Sequence, residues 1–528
     1  MKLIHATAAL ALLPLLPVTA AHEDGARWWS HVKYLADDNM KGRETGSPSY
    51  MDAARYVAAE FERAGLSAAG TEAYFQPVRF KTRKVLDEGT SITIEREGST
   101  VSLEIGDDAV VSARVETAPS TDAQMVFAGY GLTIPEAHYD DFAGLDVKGK
   151  VVVYLTGAPP KVPGPLASHY QAAAERNATL RKLGAVGMMS IPNPAHMDIP
   201  WARAATSRAI AAMTLDEPAL DDSQGLQLAV TVNPASADKV LAGSGHDIKQ
   251  IVSEANSGQP LPHFPIPGTL HVKANVKSGA VESVNVVAKL EGRDASLKDE
   301  FVVFSAHLDH LGVGTAINGD SIYNGAMDNA SGVAAMLDVA ATLHEKNARP
   351  KRSLLFVAVC GEEKGLLGSR YFAAHPTIDA RNIVADINTD MFLPLFPLKL
   401  ITAYGVDEST LGDDIAAVAK SAGLKMQPDP EPLRNAFIRS DQYSFIRRGI
   451  PSLALKVGYA PGSPEEKIVK AWLTERYHAP SDDLNQPVDK EAAGKFDHVV
   501  ASLLMRVADE KQRPAWKADS FFKRFAAQ

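Results

Sequence analysis

The chain has 528 residues, of which 45% are hydrophobic and 22% are charged, and its formal net charge is −10 at pH 7. This length allows more than one domain and a sizeable core. The negative charge and the scattered Lys and Arg residues argue against a nucleic-acid-binding protein. The single cysteine, Cys360, excludes an intramolecular disulfide, and the apolar residues before it favour a buried structural thiol over a nucleophile.

The first 21 residues match the pattern of a secretory signal peptide. Lys2 supplies a positive charge, residues 8–16 are apolar, and Val18-Thr19-Ala20 provides the small residues of a cleavage site. A buried N-terminal helix is the alternative. No later stretch approaches the roughly 20 apolar residues that a membrane span needs. The sequence therefore predicts export to the periplasm or the extracellular space, and no membrane span.

The N-terminal part of the mature chain predicts two helices and then strands. The helices cover residues 28–36 and 49–64, and apolar residues recur at helical spacing in the second until Gly65 ends it. Residues 40–48 form a loop because of their glycines and proline. Alternating residues between 75 and 115 are typical of strands.

Residues 116–275 have a different texture, with short β-rich runs between turn residues. The predicted strands and helix cover residues 124–131, 149–156, 172–183 and 184–189. A Pro-rich stretch, residues 260–267, is expected to end this region. No residues in it have catalytic spacing, which indicates an inserted accessory domain.

The remainder of the chain, from about residue 280, predicts an α/β domain. Compact apolar runs, typical of strands buried on both faces, cover residues 301–306, 353–359, 382–388 and 452–457. An apolar helical stripe over residues 333–343 separates the first two runs. We therefore expect a mostly parallel mixed sheet flanked by helices. Residues 22–115 and 276–528 would form this domain, and the β-rich region would be inserted into it.

Imidazole and carboxylate side chains follow the predicted strands, and the carboxyl ends of strands are where sites collect in open α/β sheets. The relevant residues are His307, Asp309, Asp328, Glu362, Glu363, Asp390, Tyr477 and His478. Zinc binds His nitrogen and carboxylate oxygen, and a catalytic site leaves a position open for water. Each residue alone has a structural explanation such as a helix cap. Together they predict a metal site, since buried charges without a partner are costly.

These motifs resemble those of the M28 family of metallopeptidases. The matching stretches are residues 307–309, 328–332, 361–369, 388–391 and 477–482. The resemblance implies a co-catalytic site with two Zn²⁺ ions. His307 and Asp390 would hold one ion, Glu363 and His478 the other, and Asp328 would bridge both.

The resemblance also implies roles around the metals. Glu362 would be the general base, and Asp309 would orient His307. The Asp328–Asn329 peptide bond is expected to be cis. We further hypothesise that the Tyr477 hydroxyl donates a hydrogen bond to the oxyanion. Residues 116–275 resemble a protease-associated (PA) domain, especially around residues 142–152 and 184–187.

The function that these features predict is an exported dizinc aminopeptidase acting on peptides. A carboxypeptidase of the same family is one alternative, for which Arg434 or Arg439 would bind the terminal carboxylate. A glutaminyl cyclase-like acyltransferase with a single zinc is a second alternative, and a non-catalytic binding module is a third.

Overall fold

The computed structural model describes residues 18–197, 199–434 and 436–527. Most of the expected signal peptide, residues 1–17, lies outside the described residues, and its last residues begin the first helix. Within the described ranges, none of the helices combines the length and the apolar content that crossing a bilayer requires. Export stays a prediction.

The described part of the chain is built from α-helices and β-strands. The helices are α1 (Val18–Leu35), α2 (Pro48–Arg63), α3 (Gly164–Gln171), α4 (Ala173–Lys182), α5 (Trp201–Ala204), α6 (Ala237–Leu241), α7 (Ile248–Asn256), α8 (Ser331–Glu345), α9 (Leu367–Ala374), α10 (Leu411–Ser421), α11 (Gln442–Ile446), α12 (Pro464–Glu475) and α13 (Lys490–Asp509). The strands are β1 (Ser67–Ala68), β2 (Phe75–Arg96), β3 (Ser99–Leu103), β4 (Ala109–Val111), β5 (Ser120–Ala128), β6 (Thr133–Ile134), β7 (Tyr139–Asp140), β8 (Val151–Leu155), β9 (Gly187–Ile191), β10 (Ala212–Leu215), β11 (Leu228–Val232), β12 (His263–Leu290), β13 (Phe301–His307), β14 (Gly312–Ile317), β15 (Asp320–Tyr323), β16 (Ser353–Val359), β17 (Ile383–Thr389), β18 (Leu400–Tyr404), β19 (Lys425–Gln427) and β20 (Ser452–Gly458).

The C-terminal half of the sheet has the order β19-β18-β20-β17-β13-β16-β12. Strands β20, β17, β13 and β16 run parallel to one another, whereas β18 and β12 are antiparallel to their neighbours β20 and β16. Helices α1, α2, α8 and α13 pack on one face, and α9 and α11 pack on the other. This arrangement confirms the predicted mixed α/β fold, and it explains why the central strands are apolar on both sides.

The same sheet continues into the inserted region through two long strands. The 22-residue β2 pairs with the 28-residue β12 from Phe75↔Val286 to Glu95↔Thr269. One end of β12 pairs with β16, and the other end pairs with β5, so the sheet extends in the order β12-β5-β8-β9-β11-β4. The inserted region is therefore a continuation of the same sheet and is not joined to it through a linker.

The Pro-rich stretch does not end the inserted region as the sequence suggested. Pro265 and Pro267 belong to β12, which begins at His263. The register with β5 shifts between Ile266 and Thr269. Such an irregularity accommodates proline, which cannot donate a ladder hydrogen bond. The inserted region has its own apolar core around Phe127, and its assignment as a PA-like domain stays a prediction.

Candidate metal centre

The predicted ligands meet at the carboxyl edge of the parallel strands. His307 is the last residue of β13, Asp390 follows β17, and the Glu362-Glu363 pair comes three residues after β16 ends. Because β13 lies between β16 and β17, the ends of these strands are neighbours. The structure thus brings together side chains that are far apart in the sequence.

Asp328 reaches the same place from a π-helical turn, Ala326–Ala330, just before α8. The Asp328–Asn329 peptide bond is cis, as the resemblance implied. Gly325 enters this turn with a φ of +61°, and a Cβ atom there would lie 2.2 Å from the carbonyl oxygen of Asp328. Only glycine fits at this entry point, because both the conformation and the close approach exclude a side chain.

Two side chains hold the Asp328 turn in position. Buried Asp482 accepts hydrogen bonds from the backbone amides of Met327 at 2.9 Å and Asp328 at 3.0 Å. The Asn329 amide nitrogen donates to the carbonyl oxygen of Thr389 at 2.9 Å, at the end of β17. Asp328 is therefore anchored both to the segment after His478 and to the strand that carries Asp390.

The side chains form two groups that share Asp328. In the first, His307 Nε2 lies 3.4 Å from Asp328 Oδ1 and 3.4 Å from Asp390 Oδ1. In the second, His478 Nε2 lies 3.2 Å from Asp328 Oδ2 and 3.2 Å from Glu363 Oε2. Each group thus uses a different carboxylate oxygen of Asp328.

These separations fit a metal ion. Ligand atoms at 2.0–2.1 Å from a tetrahedral zinc ion lie about 3.3 Å from one another. The side chains of Asp328, Glu363 and Asp390 are 4%, 5% and 12% exposed, so three carboxylates are crowded away from water. Such crowding is costly unless a cation compensates it. The donor set of imidazole nitrogen and carboxylate oxygen is the one that zinc prefers.

His307 is oriented by a backbone atom. Its Nδ1 lies 3.1 Å from the carbonyl oxygen of Asp309, and donation from Nδ1 leaves the Nε2 lone pair free to face Asp328 and Asp390. The buried Asp309 carboxylate instead accepts from the backbone amides of Glu362 at 3.1 Å and Glu363 at 3.4 Å. The predicted contact between Asp309 and His307 therefore exists, but it uses the carbonyl group, and the carboxylate positions the Glu362-Glu363 turn.

Glu362 stands beside these groups and belongs to neither. Its Oε2 is 4.0 Å from His307 Nε2, and its side chain is 12% exposed at the floor of a cavity. Burial raises the pKa of the Glu362 carboxyl well above its ordinary value, and Glu363 and Asp390 act in the same direction. Burial and neighbouring carboxylates are the usual means of preparing a carboxyl group for proton transfer.

Tyr477 lines the same cavity, next to His478. The two rings lie 3.9 Å apart, centroid to centroid. Burial raises the pKa of Tyr477 to about 12, so its hydroxyl stays protonated at neutral pH. Within the described part of the chain this hydroxyl has no hydrogen-bond acceptor, which leaves it available as a donor to a molecule in the cavity.

His310 is a residue of the site to which the sequence analysis assigned no role. Its ring is fully buried, and Nδ1 lies 2.7 Å from Glu363 Oε1 and 3.8 Å from Asp328 Oδ2. His310, Asp328 and Glu363 together place one ligand atom each within reach of a single ion. The available signal was its place three residues after His307, the last residue of β13.

Comparison with known proteins agrees with this geometry. Residues 285–504 match the model of Peptidase family M28. This part of the chain is a peptidase family M28 domain. It contains every proposed metal ligand, as well as Glu362 and Tyr477.

The sequence similarity to individual proteins is limited to a smaller part of the chain. A probable zinc metalloprotease from Pyricularia oryzae is 34% identical over 126 residues, or 24% of each chain. Carboxypeptidase Q from Xenopus laevis is 31% identical over 133 residues, which covers 24% of this chain and 26% of that protein. The alignments thus span about a quarter of the length of these relatives.

The similarity in fold covers more of the chain than the similarity in sequence. The solved structure of an aminopeptidase from Aneurinibacillus sp. strain AM-1 matches 96% of this chain and 99% of its own. The TM-score is 0.57 and the sequence identity is 18%, so the likeness concerns the fold. This M28 domain and the region inserted before it therefore have a counterpart of similar architecture.

Proposed function

We propose that the chain is a metallopeptidase that hydrolyses peptide bonds with two zinc ions. The observation that carries the proposal is the pair of ligand groups sharing Asp328, with ligand atoms 3.2–3.4 Å apart. His307, Asp328 and Asp390 would hold one ion, and Asp328, Glu363 and His478 the other. Bound zinc supplies Lewis-acid chemistry, which polarises a carbonyl group and makes water a better nucleophile.

Glu362 would move the proton. Its carboxylate faces the cavity beside His307 without belonging to a ligand group. It would accept a proton from the attacking water and deliver that proton to the leaving nitrogen. The pKa of Glu362, raised by burial, makes the carboxyl group a sufficient acid for the second step.

Tyr477 would stabilise the negative charge that develops on the carbonyl oxygen. Its protonated hydroxyl lines the cavity next to His478. A donor that is already oriented in a site shielded from bulk water contributes more than the same donor in water. The hydroxyl would thus act mainly on the rate and less on substrate affinity.

We propose that the amino end of the peptide is recognised, so that the protein is an aminopeptidase. A solved structure that matches nearly the whole chain is described as an aminopeptidase. The carboxypeptidase alternative is favoured by the carboxypeptidase Q relatives and by a lysine in the cavity, Lys456. The presence of two ligand groups speaks for two ions and against a single-zinc acyltransferase. We further propose export, because residues 1–21 have the pattern of a signal peptide.

The test combines metal content with substrate choice. Zinc per chain is measured by elemental analysis, and the zinc-loaded protein is assayed on free, N-acetylated and C-amidated dipeptides. Two zinc ions and cleavage that requires a free amino group would support the proposal. Cleavage that tolerates N-acetylation but requires a free carboxylate would replace it with a carboxypeptidase. One zinc ion with cyclisation of N-terminal Gln, or no hydrolysis at all, would contradict it.

A further inference from the structure

The floor of the cavity next to Asp390 is one face of the sheet. Side chains alternate between faces along a strand, so Asn388 and Asp390 share a face at the end of β17. Ala454 of β20 is paired with Asn388, and Lys456 is the second residue after it. Lys456 is also paired with Thr402 of β18. Asn388, Asp390, Thr402, Ala454 and Lys456 all line the cavity.

Lys456 interrupts an otherwise apolar strand. Its neighbours Leu455 and Val457 point into the main core, whereas Lys456 is half-buried at the cavity floor. Among the described residues, no carboxylate lies within ion-pairing distance of Lys456 Nζ, and the ammonium group donates no hydrogen bond to the protein. A half-buried ammonium group without a partner is unusual, because its desolvation is not compensated.

The other charged residues of the cavity that the structure describes form no ion pair with Lys456. Glu431 is paired with Arg434, at 3.0 Å between Oε2 and Nη1. Asp429 lies on the cavity wall without an ion pair to Lys456, and Arg439 stands at the exposed rim. Burial lowers the pKa of Lys456, the charges of Asp390 and Asp328 act in the opposite direction, and those of Arg434 and Arg439 lower the pKa further. Lys456 thus faces the cavity beside Asp390 without an ion pair to any carboxylate of the described residues.

We propose that Lys456 binds a carboxylate group of the substrate and so determines specificity. This inference rests on the proposed peptidase function and names the substrate class: peptides with a negative charge close to the bond that is cleaved. Thr389 is paired with Leu455, so Lys456 lies beside Asp390 at the ends of the two strands. A substrate carboxylate bound to Lys456 would therefore lie within one or two residues of the reacting carbonyl. The ammonium group would then gain the charge-assisted hydrogen bond that it lacks.

The carboxylate has two possible sources in a short peptide. It is either an acidic side chain or the C-terminal carboxylate of a dipeptide. Two matched substrate pairs distinguish the sources. Glu-Ala-amide and Gln-Ala-amide differ only in the side-chain charge, and Leu-Ala and Leu-Ala-amide differ only in the terminal charge. The ratio of kcat/KM within each pair measures the preference.

The variants are chosen to isolate the charge. Lys456→Met keeps the length of the side chain and removes the charge, and Lys456→Arg keeps the charge. Lys399→Met is the matched control, because Lys399 immediately precedes β18 and is 72% exposed. Zinc content is measured in each variant, since Lys456 is close to Asp390. Binding of the four peptides is also measured on Glu362→Gln and on Glu362→Gln/Lys456→Met, by calorimetry and without turnover.

The wild type is expected to prefer the charged member of one pair by about tenfold or more, since a hydrogen bond to a charged group is worth that much. Lys456→Met should lose the preference, whereas Lys456→Arg and Lys399→Met should retain it. Equal rates and affinities within both pairs, or a preference that survives in Lys456→Met, would overturn the inference while hydrolysis by two zinc ions still stands. If no peptide is hydrolysed, the proposed function fails, and the calorimetric comparison still decides whether Lys456 binds a carboxylate.

Discussion

His310 Nδ1 lies 2.7 Å from Glu363 Oε1, and both atoms are buried. Glu363 Oε2 lies 3.2 Å from His478 Nε2, so the two carboxylate oxygens of Glu363 face different imidazole rings. Burial raises the pKa of an unpaired carboxylate, but His478 and His310 together hold the pKa of Glu363 well below its ordinary value. His310 therefore favours the charged form of Glu363, the proposed metal ligand.

Replacing His310 is expected to weaken metal binding. The His310→Ala variant should bind zinc about 10–100-fold less tightly, as is usual when a residue that orients a ligand is removed. Competition with a chromogenic chelator measures this affinity. His375→Ala is the control, because His375 is paired with Glu217 far from the centre. Equal affinities in the two variants would show that His310 has no role at the metal.

Asp482 supports the centre without contacting a ligand atom. Asp482→Ala should leave the buried amides of Met327 and Asp328 without acceptors, at a cost of about 1–3 kcal/mol for each group. Thermal unfolding of the zinc-free protein should therefore occur at a lower temperature. Asp483→Ala is the control, because its side chain is 26% exposed. A melting temperature equal to that of the control would contradict the structural role of Asp482.

Glu362→Gln separates catalysis from metal binding. Since Glu362 belongs to neither ligand group, the variant should retain both zinc ions while kcat falls by about 10²–10⁴-fold, the usual contribution of a general base. Metal analysis and steady-state kinetics on the same sample check both statements. Turnover close to that of the wild type would remove Glu362 from the mechanism.

Tyr477→Phe should lower kcat and leave KM nearly unchanged. The hydroxyl would contact the substrate oxygen mainly when negative charge develops there, and loss of such a contact appears in the rate. Because the ring remains, its packing against His478 should be preserved. An increase in KM with an unchanged kcat would instead indicate a contact with the ground state.

The carboxyl group of Asp414, which lies outside the candidate metal centre, is expected to make the stability of the fold depend on pH. Burial, together with Glu510, raises the pKa of Asp414 from 3.8 to about 7, although Arg506 Nε donates to it at 2.8 Å. Because the folded state disfavours ionisation, the stability contribution of Asp414 is complete below pH 4 and is lost as the pH rises through 7.

The Asp414→Asn variant cannot ionise, so its free energy of unfolding should fall less between pH 4 and pH 8 than that of the wild type. Urea unfolding at several pH values measures the difference. The exposed neighbour Asp413 provides the control variant Asp413→Asn, which should follow the wild-type curve. A wild type and an Asp414→Asn variant with parallel curves would contradict the assignment.

Apolar runs predicted the strands of the α/β domain well, because β13, β16, β17 and β20 are buried on both faces. Because these strands are parallel, the sequence also predicted that the residues after their carboxyl ends lie close together. Lys456 was not recognised, because one charged residue within an apolar run carries no signal about the face on which it lies. The length of β2 and β12 was also missed, since residues 260–267 contain prolines that normally end a strand.

The pairing of β2 with β12 has a consequence for the order in which the protein folds during synthesis. Phe75 pairs with Val286, so all of residues 76–285 must leave the ribosome before this end of the ladder can close. The strands β5, β8, β9 and β11 are complete by then and can already pair with one another. Closing so long a loop is slow, and regions that are complete earlier usually fold first. The inserted region would thus fold first, and the C-terminal half of the sheet would then assemble against it.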